Sequence, residues 1–269
     1  MMKIFDFNIH LPILDEHSVD SMIANERELG IDGVLNGLNY HRGKLIRLDG
    51  YNIMLFNESL LIEADRILEI TAILGSKNSL LTLLFDFRAD NCLELVDLAY
   101  DSGIRSIKFH SYVQNIADSD FNKIVEVAMR ASSKEMLVCV DASYGSIKMY
   151  KYDNLKLVCA IAEKVTKTPI IVLHSGGARV FDAMLIADER KNIFLETSFS
   201  LTYYKGSSIE LDLAFAYKKI GADRLLYGSD FPYIDLDSSI ENHLVFFEKH
   251  QFSSQDIEAV MYSNRHRLI

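Results

Sequence analysis

Short apolar, β-branched runs alternate along the chain with segments whose apolar residues recur every three to four positions. The runs are KIFDFN (3–8), DGVLN (32–36), LLTLLFD (80–86), IRSIKFH (104–110), LVCVD (137–141), PIIVLH (169–174), NIFLET (192–197) and DRLLYGSD (223–230). They recur about 31 residues apart, room for one strand, one helix and two short connections. Three of the intervening stripes have clear helical period. They are Phe121, Ile124, Val125 and Ala128; Leu155, Val158, Ile161, Ala162 and Val165; and Leu213, Ala216, Tyr217 and Ile220. Gly103 and Gly221 follow two helices where a left-handed residue is favoured. Asp153 and Ser253 stand at N-cap positions, the latter with Asp256 three residues on.

Strands that are apolar on both faces and alternate with helices form a parallel sheet covered on each side. Eight such units in 269 residues predict one domain over 1–269, a single (β/α)8 TIM barrel. No glycine-rich phosphate fingerprint follows the first run, which argues against a dinucleotide-binding sheet.

Composition removes several function classes. Hydrophobic residues at 49% and charged residues at 25% exclude a disordered chain. The 28 basic residues against 38 acidic ones leave a net charge of −10, which repels phosphate backbones, so no nucleic-acid partner is expected. No apolar run approaches the roughly 18 residues of a membrane span. Cys92, Cys139 and Cys159 lack metal-site spacing and fall in apolar segments, where each is expected to pack as a small buried hydrophobe. The opening residues carry no basic stretch followed by an apolar one, so a reduced, cytoplasmic protein is expected. A small-molecule substrate is the partner that remains; a homo-oligomer is compatible with all of this.

In a barrel of this kind the chemistry gathers where the strands end. The first run ends with Asp6, Asn8 and His10 on one face, by period two. The second runs out into Asn36, Asn39 and His41, and the third into Asp86 and Arg88. Lys108 and His110 share a face of the fourth, and the fifth ends at Asp141. His174 closes the sixth, Glu196 and Thr197 the seventh, and Asp230 the eighth. One polar strand end is ordinary; a convergent ring of three histidines and several carboxylates is not. Asp141 and Asp230 in one low-dielectric mouth resist joint ionisation unless a cation, either a divalent metal or Lys108, or a shared proton lies between them.

These residues carry a resemblance. Asp6-x-Asn8-x-His10 resembles the Asp-x-His-x-His opening of the amidohydrolase superfamily. IKFH (107–110), IVLHSGG (171–177) and RLLYGSDFP (224–232) are similar to later signatures of its amidohydrolase-related branch, as is the ending NRHRL (264–268). That branch contains decarboxylases and lactonases, similar to aminocarboxymuconate-semialdehyde decarboxylase. The resemblance implies one divalent metal, Zn or Mn/Mg, on Asn8, His10, Asp141 and Asp230. It implies His174 as the histidine that polarises substrate or moves a proton. Two positions depart from the pattern: Asn8 and Asp141 stand where histidines are expected. An amide oxygen and a hard carboxylate favour Zn²⁺ less than imidazole does.

The resemblance therefore implies a metal-dependent hydrolase, in which Asp230, His174 and Lys108 act on a C–O or C–N bond of a small carboxylated or sugar-like substrate. The alternatives are a non-oxidative decarboxylase, a metal-independent lactonase or a degenerate, non-catalytic ligand-binding barrel. Lys108 is read as a cation facing Asp141, Asp230 or a substrate carboxylate, rather than as a carbamylated metal bridge. His41, Arg88 and His110 are the candidate substrate contacts, with solvated loop positions as the competing reading for His41 and Arg88. His17, His243 and His250 fall in helical contexts and are expected in solvent. Arg224 is read as structural.

Overall fold

The computed structural model describes residues 2–11, 19–75, 78–143 and 147–268. Its strands are β1 (Phe5–Ile9), β2 (Gly50–Leu55), β3 (Leu80–Leu84), β4 (Ser106–His110), β5 (Leu137–Asp141), β6 (Ile170–Leu173), β7 (Ile193–Glu196) and β8 (Leu225–Leu226). All seven successive pairs are parallel, in the order β1 to β8. The sheet returns on itself through a parallel bridge between Ile9 and Phe231. Asp230 N–H donates to the Asn8 carbonyl at 2.9 Å, and His10 N–H to the Phe231 carbonyl at 2.7 Å. This is the eight-stranded barrel that the alternation predicts.

The helices are α1 (Val19–Tyr40), α2 (Arg42–Leu45), α3 (Ala64–Gly75), α4 (Cys92–Asp101), α5 (Phe121–Ser133) and α6 (Asn154–Ala162). After them come α7 (Val180–Glu189), α8 (Ser200–Tyr203), α9 (Ser208–Ile220), α10 (Leu236–Lys249) and α11 (Ser254–Met261). Asp153 caps α6 by accepting from the Leu155 and Lys156 N–H groups, and Ser253 forms a reciprocal capping box with Asp256. Gly103 and Gly221 adopt φ of 86° and 93°, the left-handed turn expected of them.

One strand lies elsewhere than the sequence suggests. Residues 32–36 are helical, inside α1, and the second strand is Gly50–Leu55. Ile31 and Val34 are three apart and both buried, a helical stripe too short to separate from a strand by pattern. The true strand was obscured by Asn52. Its side chain donates to the Phe7 carbonyl at 3.1 Å and accepts from Thr82 Oγ1 at 2.9 Å, so a buried polar residue is satisfied between three strands. Consequently Asn36 and Asn39 belong to a helix, not to a strand end. Cys92 and Cys139 are buried as expected, but Cys159 is exposed on α6.

Two apolar layers position the mouth. One lies between the sheet and the helices. The other contains Phe7, Met54, Leu137, Cys139, Ile171, Leu173, Phe194 and Leu226, with Leu268 from the terminal segment. Asn264 ties that segment down, donating to the Ala222 and Leu225 carbonyls at 2.7 and 2.8 Å. On β5, period two runs from Leu137 through Cys139 to Asp141, and on β4 from Ser106 through Lys108 to His110. Register pairs Lys108 with Cys139 and His110 with Asp141. An apolar floor therefore passes directly into a ring of charge.

Candidate active site

Asp141 is the point on which that ring converges. Its Oδ2 lies 2.8 Å from Lys108 Nζ, 3.5 Å from His110 Nε2 and 3.5 Å from His174 Nε2. Its Oδ1 accepts from Ser143 N–H at 3.1 Å and from Ser143 Oγ at 2.5 Å. Asp230 forms a second pair, with Oδ1 3.4 Å from His10 Nε2. All these acidic and basic side chains are buried. His174 and Asp230 both hold positive φ, 58° and 61°, a strained conformation that turns each side chain at its strand end.

Burial acts against every charge here, and the neighbours decide the outcome. Burial alone would raise the Asp141 carboxyl, but His110, Lys108 and His174 hold it well below the ordinary carboxylate range. Burial likewise opposes the Asp230 carboxylate, yet the His10 bond and the charges of His174 and Lys108 keep its pKa low. Burial would strip the proton from His174, whereas Asp141, Asp230 and Glu196 lift it to about 9. Burial drives His110 down to about 3 against the pull of Asp141, and it lowers His10 against the pull of Asp230. His174 is thus held protonated beside two neutral imidazoles.

Beneath this ring lies a second layer. Ser198 Oγ stands 3.0 Å from His174 Nδ1, donates to Glu196 Oε2 at 2.9 Å and accepts from Asn8 Nδ2 at 2.9 Å. Glu196 also receives the His174 N–H at 3.1 Å, the Ser198 N–H at 2.6 Å and Asn8 Nδ2 at 3.4 Å. Burial raises the Glu196 carboxyl despite these donors. It pushes Asp6 up to about 7, opposed by Ser229 and the Asn8 N–H. Asn8, with its NH₂ turned to Ser198 and Glu196, leaves a buried Oδ1 without a partner among the described residues.

Of the residues the sequence singles out, Asn8, His10, Lys108, His110, Asp141, His174 and Asp230 come together at the mouth. His41, although not at a strand end, is buried with its ring 4.8 Å from that of Phe231, beside Asp230. Arg88 points elsewhere: it is exposed, pairs with Asp120 at 2.8 Å and stacks on Phe87. His243 is not in solvent but buried, with Nε2 3.0 Å from Thr197 Oγ1 and Nδ1 2.7 Å from the Ser239 carbonyl. His250 is largely covered and lies 3.1 Å from Glu210; His17 lies outside the described residues. Arg224 binds the Ile220 carbonyl at 2.7 Å, a structural contact. Sequence reasoning missed Ser198, for which Glu196-x-Ser198 at period two was the available signal. It also missed Phe56, whose ring stacks on His10 at 5.0 Å, and Tyr233, edge-on to His10 at 5.7 Å.

The family model described as amidohydrolase matches residues 93–269. No curated protein matches the chain. Among solved structures, an uncharacterised TIM-barrel protein from Bordetella bronchiseptica superposes with a TM-score of 0.75 at 16% identity, covering 99% of this chain and 98% of that one. A putative 2-pyrone-4,6-dicarboxylic acid hydrolase from Pseudomonas putida gives 0.63 at 16% identity, covering 100% and 97%. A dihydroxybenzoic acid decarboxylase from Polaromonas, with bound manganese and 2-nitroresorcinol, gives 0.61 at 13% identity, covering 100% and 97%. These likenesses establish the fold.

The donor set does not fit a divalent metal. Among the described residues no three His, Cys, Asp or Glu side chains are placed to hold an ion. The four implied ligands are divided: Asp230 is engaged by His10, Asp141 by an ammonium, and Asn8 offers one neutral oxygen.

Proposed function

We propose that the chain, which belongs to the amidohydrolase family, hydrolyses a C–O bond in a small carboxylated ester or lactone by means of its own charged side chains. The observation that carries this reading is the opposition of two pairs in one buried mouth. Asp230 lies against His10, and Asp141 against His174 and Lys108. Carboxylate and imidazole environments pushed in opposite directions mark acid and base roles.

In this reading Asp230 takes a proton from water as the water oxygen attacks the substrate carbonyl carbon. Negative charge then develops on the carbonyl oxygen, facing the cationic groups around Asp141. The bond from carbon to the leaving oxygen breaks, and that oxygen receives the proton of His174 Nε2. His174 regains a proton from Asp230, which restores both groups. A lactone suits this machinery because its carbonyl is more reactive than that of an unstrained amide. The cationic rim and the aromatic walls of Phe56 and Tyr233 suit a carboxylated, planar molecule. The three unpaired cysteines fit a reducing cytoplasm.

Assay of the purified protein on carboxylated lactones, aryl esters and hydroxybenzoates tests the proposal. Lactone or ester turnover that the Asp230→Asn variant lacks is the expected result. Release of carbon dioxide from hydroxybenzoates instead would replace hydrolysis by decarboxylation. Tight binding without turnover of any of the three would make the barrel a ligand-binding protein.

A further inference from the structure

Lys108 is buried at 1% exposure in the middle of β4, with its Nζ 2.8 Å from Asp141 and 4.7 Å from the centre of the Phe56 ring. A buried ammonium persists only where charge and polarisable surface replace its hydration. The carboxylate and the aromatic face supply both. The contact with Asp141 is an ion pair without hydrogen-bond alignment, and Nζ has no aligned acceptor among the described residues.

We propose that Lys108 is the resident cation of this site, doing beside Asp141 the electrostatic work a divalent ion would do, so that the chain holds no metal. The catalytic consequence rests on the hydrolytic reading above; the charge arrangement rests on geometry alone. A divalent ion bound to Asp141 Oδ2 would sit against the ammonium already there, in a low-dielectric site where like charges repel strongly. The two departures from the family pattern then form one change. A histidine at 141 would leave the Lys108 charge without a counter-ion. Asn8, with its NH₂ committed to Ser198 and Glu196, presents one amide oxygen where an imidazole would be needed. The unaligned N–H groups of Lys108 are free to meet a substrate oxygen on which negative charge develops.

Metal analysis of the protein purified without added metal, followed by calorimetric titration with Zn²⁺ and Mn²⁺, tests this without any substrate. The expected result is far less than one equivalent of metal and no saturable one-to-one binding. In Lys108→Met, where Asp141 keeps His110 and His174 but loses the ammonium, affinity for Zn²⁺ is expected to rise at least about tenfold. Lys108→Arg keeps the charge and is expected to stay metal-free. One tightly held equivalent in the unaltered protein overturns the proposal even if neither variant folds. So does a folded Lys108→Met that binds Zn²⁺ no better than its parent. A protein that is metal-free yet inactive on every ester would sink the hydrolytic reading and leave the Lys108 assignment standing.

Discussion

Ser198 holds His174 from behind: its hydroxyl oxygen lies 3.0 Å from the imidazole Nδ1. That hydroxyl has one proton, and it goes to Glu196 Oε2 at 2.9 Å. It must therefore accept from Nδ1–H of His174, which leaves Nε2 facing Asp141. Asn8 completes the arrangement by donating to the same oxygen.

Ser198→Ala removes the acceptor that fixes the His174 ring. Turnover is expected to fall about ten- to a hundredfold, within the range ascribed to one positioned acid. The buried Asn8 NH₂ and His174 Nδ1–H lose their partner, at a cost of about 1–3 kcal/mol in unfolding free energy. Substrate kinetics and urea unfolding check the two halves. Unchanged kinetics over the whole pH range would make Ser198 structural only.

Much of this was legible in the chain, for a physical reason. β5 is a fully apolar run until Asp141, so its end coincides with the change of chemistry. His174 and Asp230 likewise follow apolar runs closely. Position 52 shows the limit. A barrel interior tolerates an asparagine when neighbouring strands satisfy it, and period-two reasoning cannot see those partners. His243 shows another. On α10 it reads as one more polar helical residue, and only the fold places Thr197 against it. Arg88 shows a third, since only the fold reveals that Asp120 and Phe87 hold its guanidinium at the surface.

His174 makes stability depend on pH. Its folded-state pKa is raised from the unfolded 6.5 to about 9, so its contribution is complete below about pH 6.5 and is lost as pH rises through about 9. His110 runs the other way. Lowered to about 3, it stabilises above about pH 6.5 and loses that as pH falls toward 3. Urea unfolding of the unaltered protein is expected to weaken between about pH 6.5 and 9. In His174→Gln that alkaline slope should flatten. A slope that survives the substitution would assign the loss to another group.

Gly228 precedes the Ser229-Asp230 turn, and a Cβ there would overlap Glu196 Oε1 and come within 3.0 Å of Asn8 Cβ. Glu196 cannot swing aside without breaking its bonds to Ser198 and the His174 N–H. Gly228→Ala is therefore expected to destabilise the fold by about 1–3 kcal/mol, as overpacking of a closed interior does. It should also displace the layer behind His174. A thermal midpoint within a degree of the parent would mean that the layer is soft.

Asp230→Asn bears on both chemistry and stability. Two crowded carboxylates would repel, and removing one would then raise stability. The structure places a partner at each instead: the His10 imidazole is 3.4 Å from Asp230, and the Lys108 ammonium is 2.8 Å from Asp141. His10, His174 and Lys108 outweigh burial and hold the Asp230 pKa below its ordinary value, so its charge stabilises the fold at neutral pH. That contribution is present above about pH 4 and is lost as pH falls through the lower folded-state value. The variant is expected to lose turnover by at least about a hundredfold, as removal of a general base does. Its thermal midpoint at pH 7 is expected to drop by a few degrees. As pH falls through that lower folded-state pKa, the difference should narrow. Calorimetry of both proteins from pH 7 into the acid range decides it. A variant more stable than its parent at pH 7 would mean that repulsion between Asp230 and Asp141, not attraction to the imidazoles and Lys108, governs the mouth.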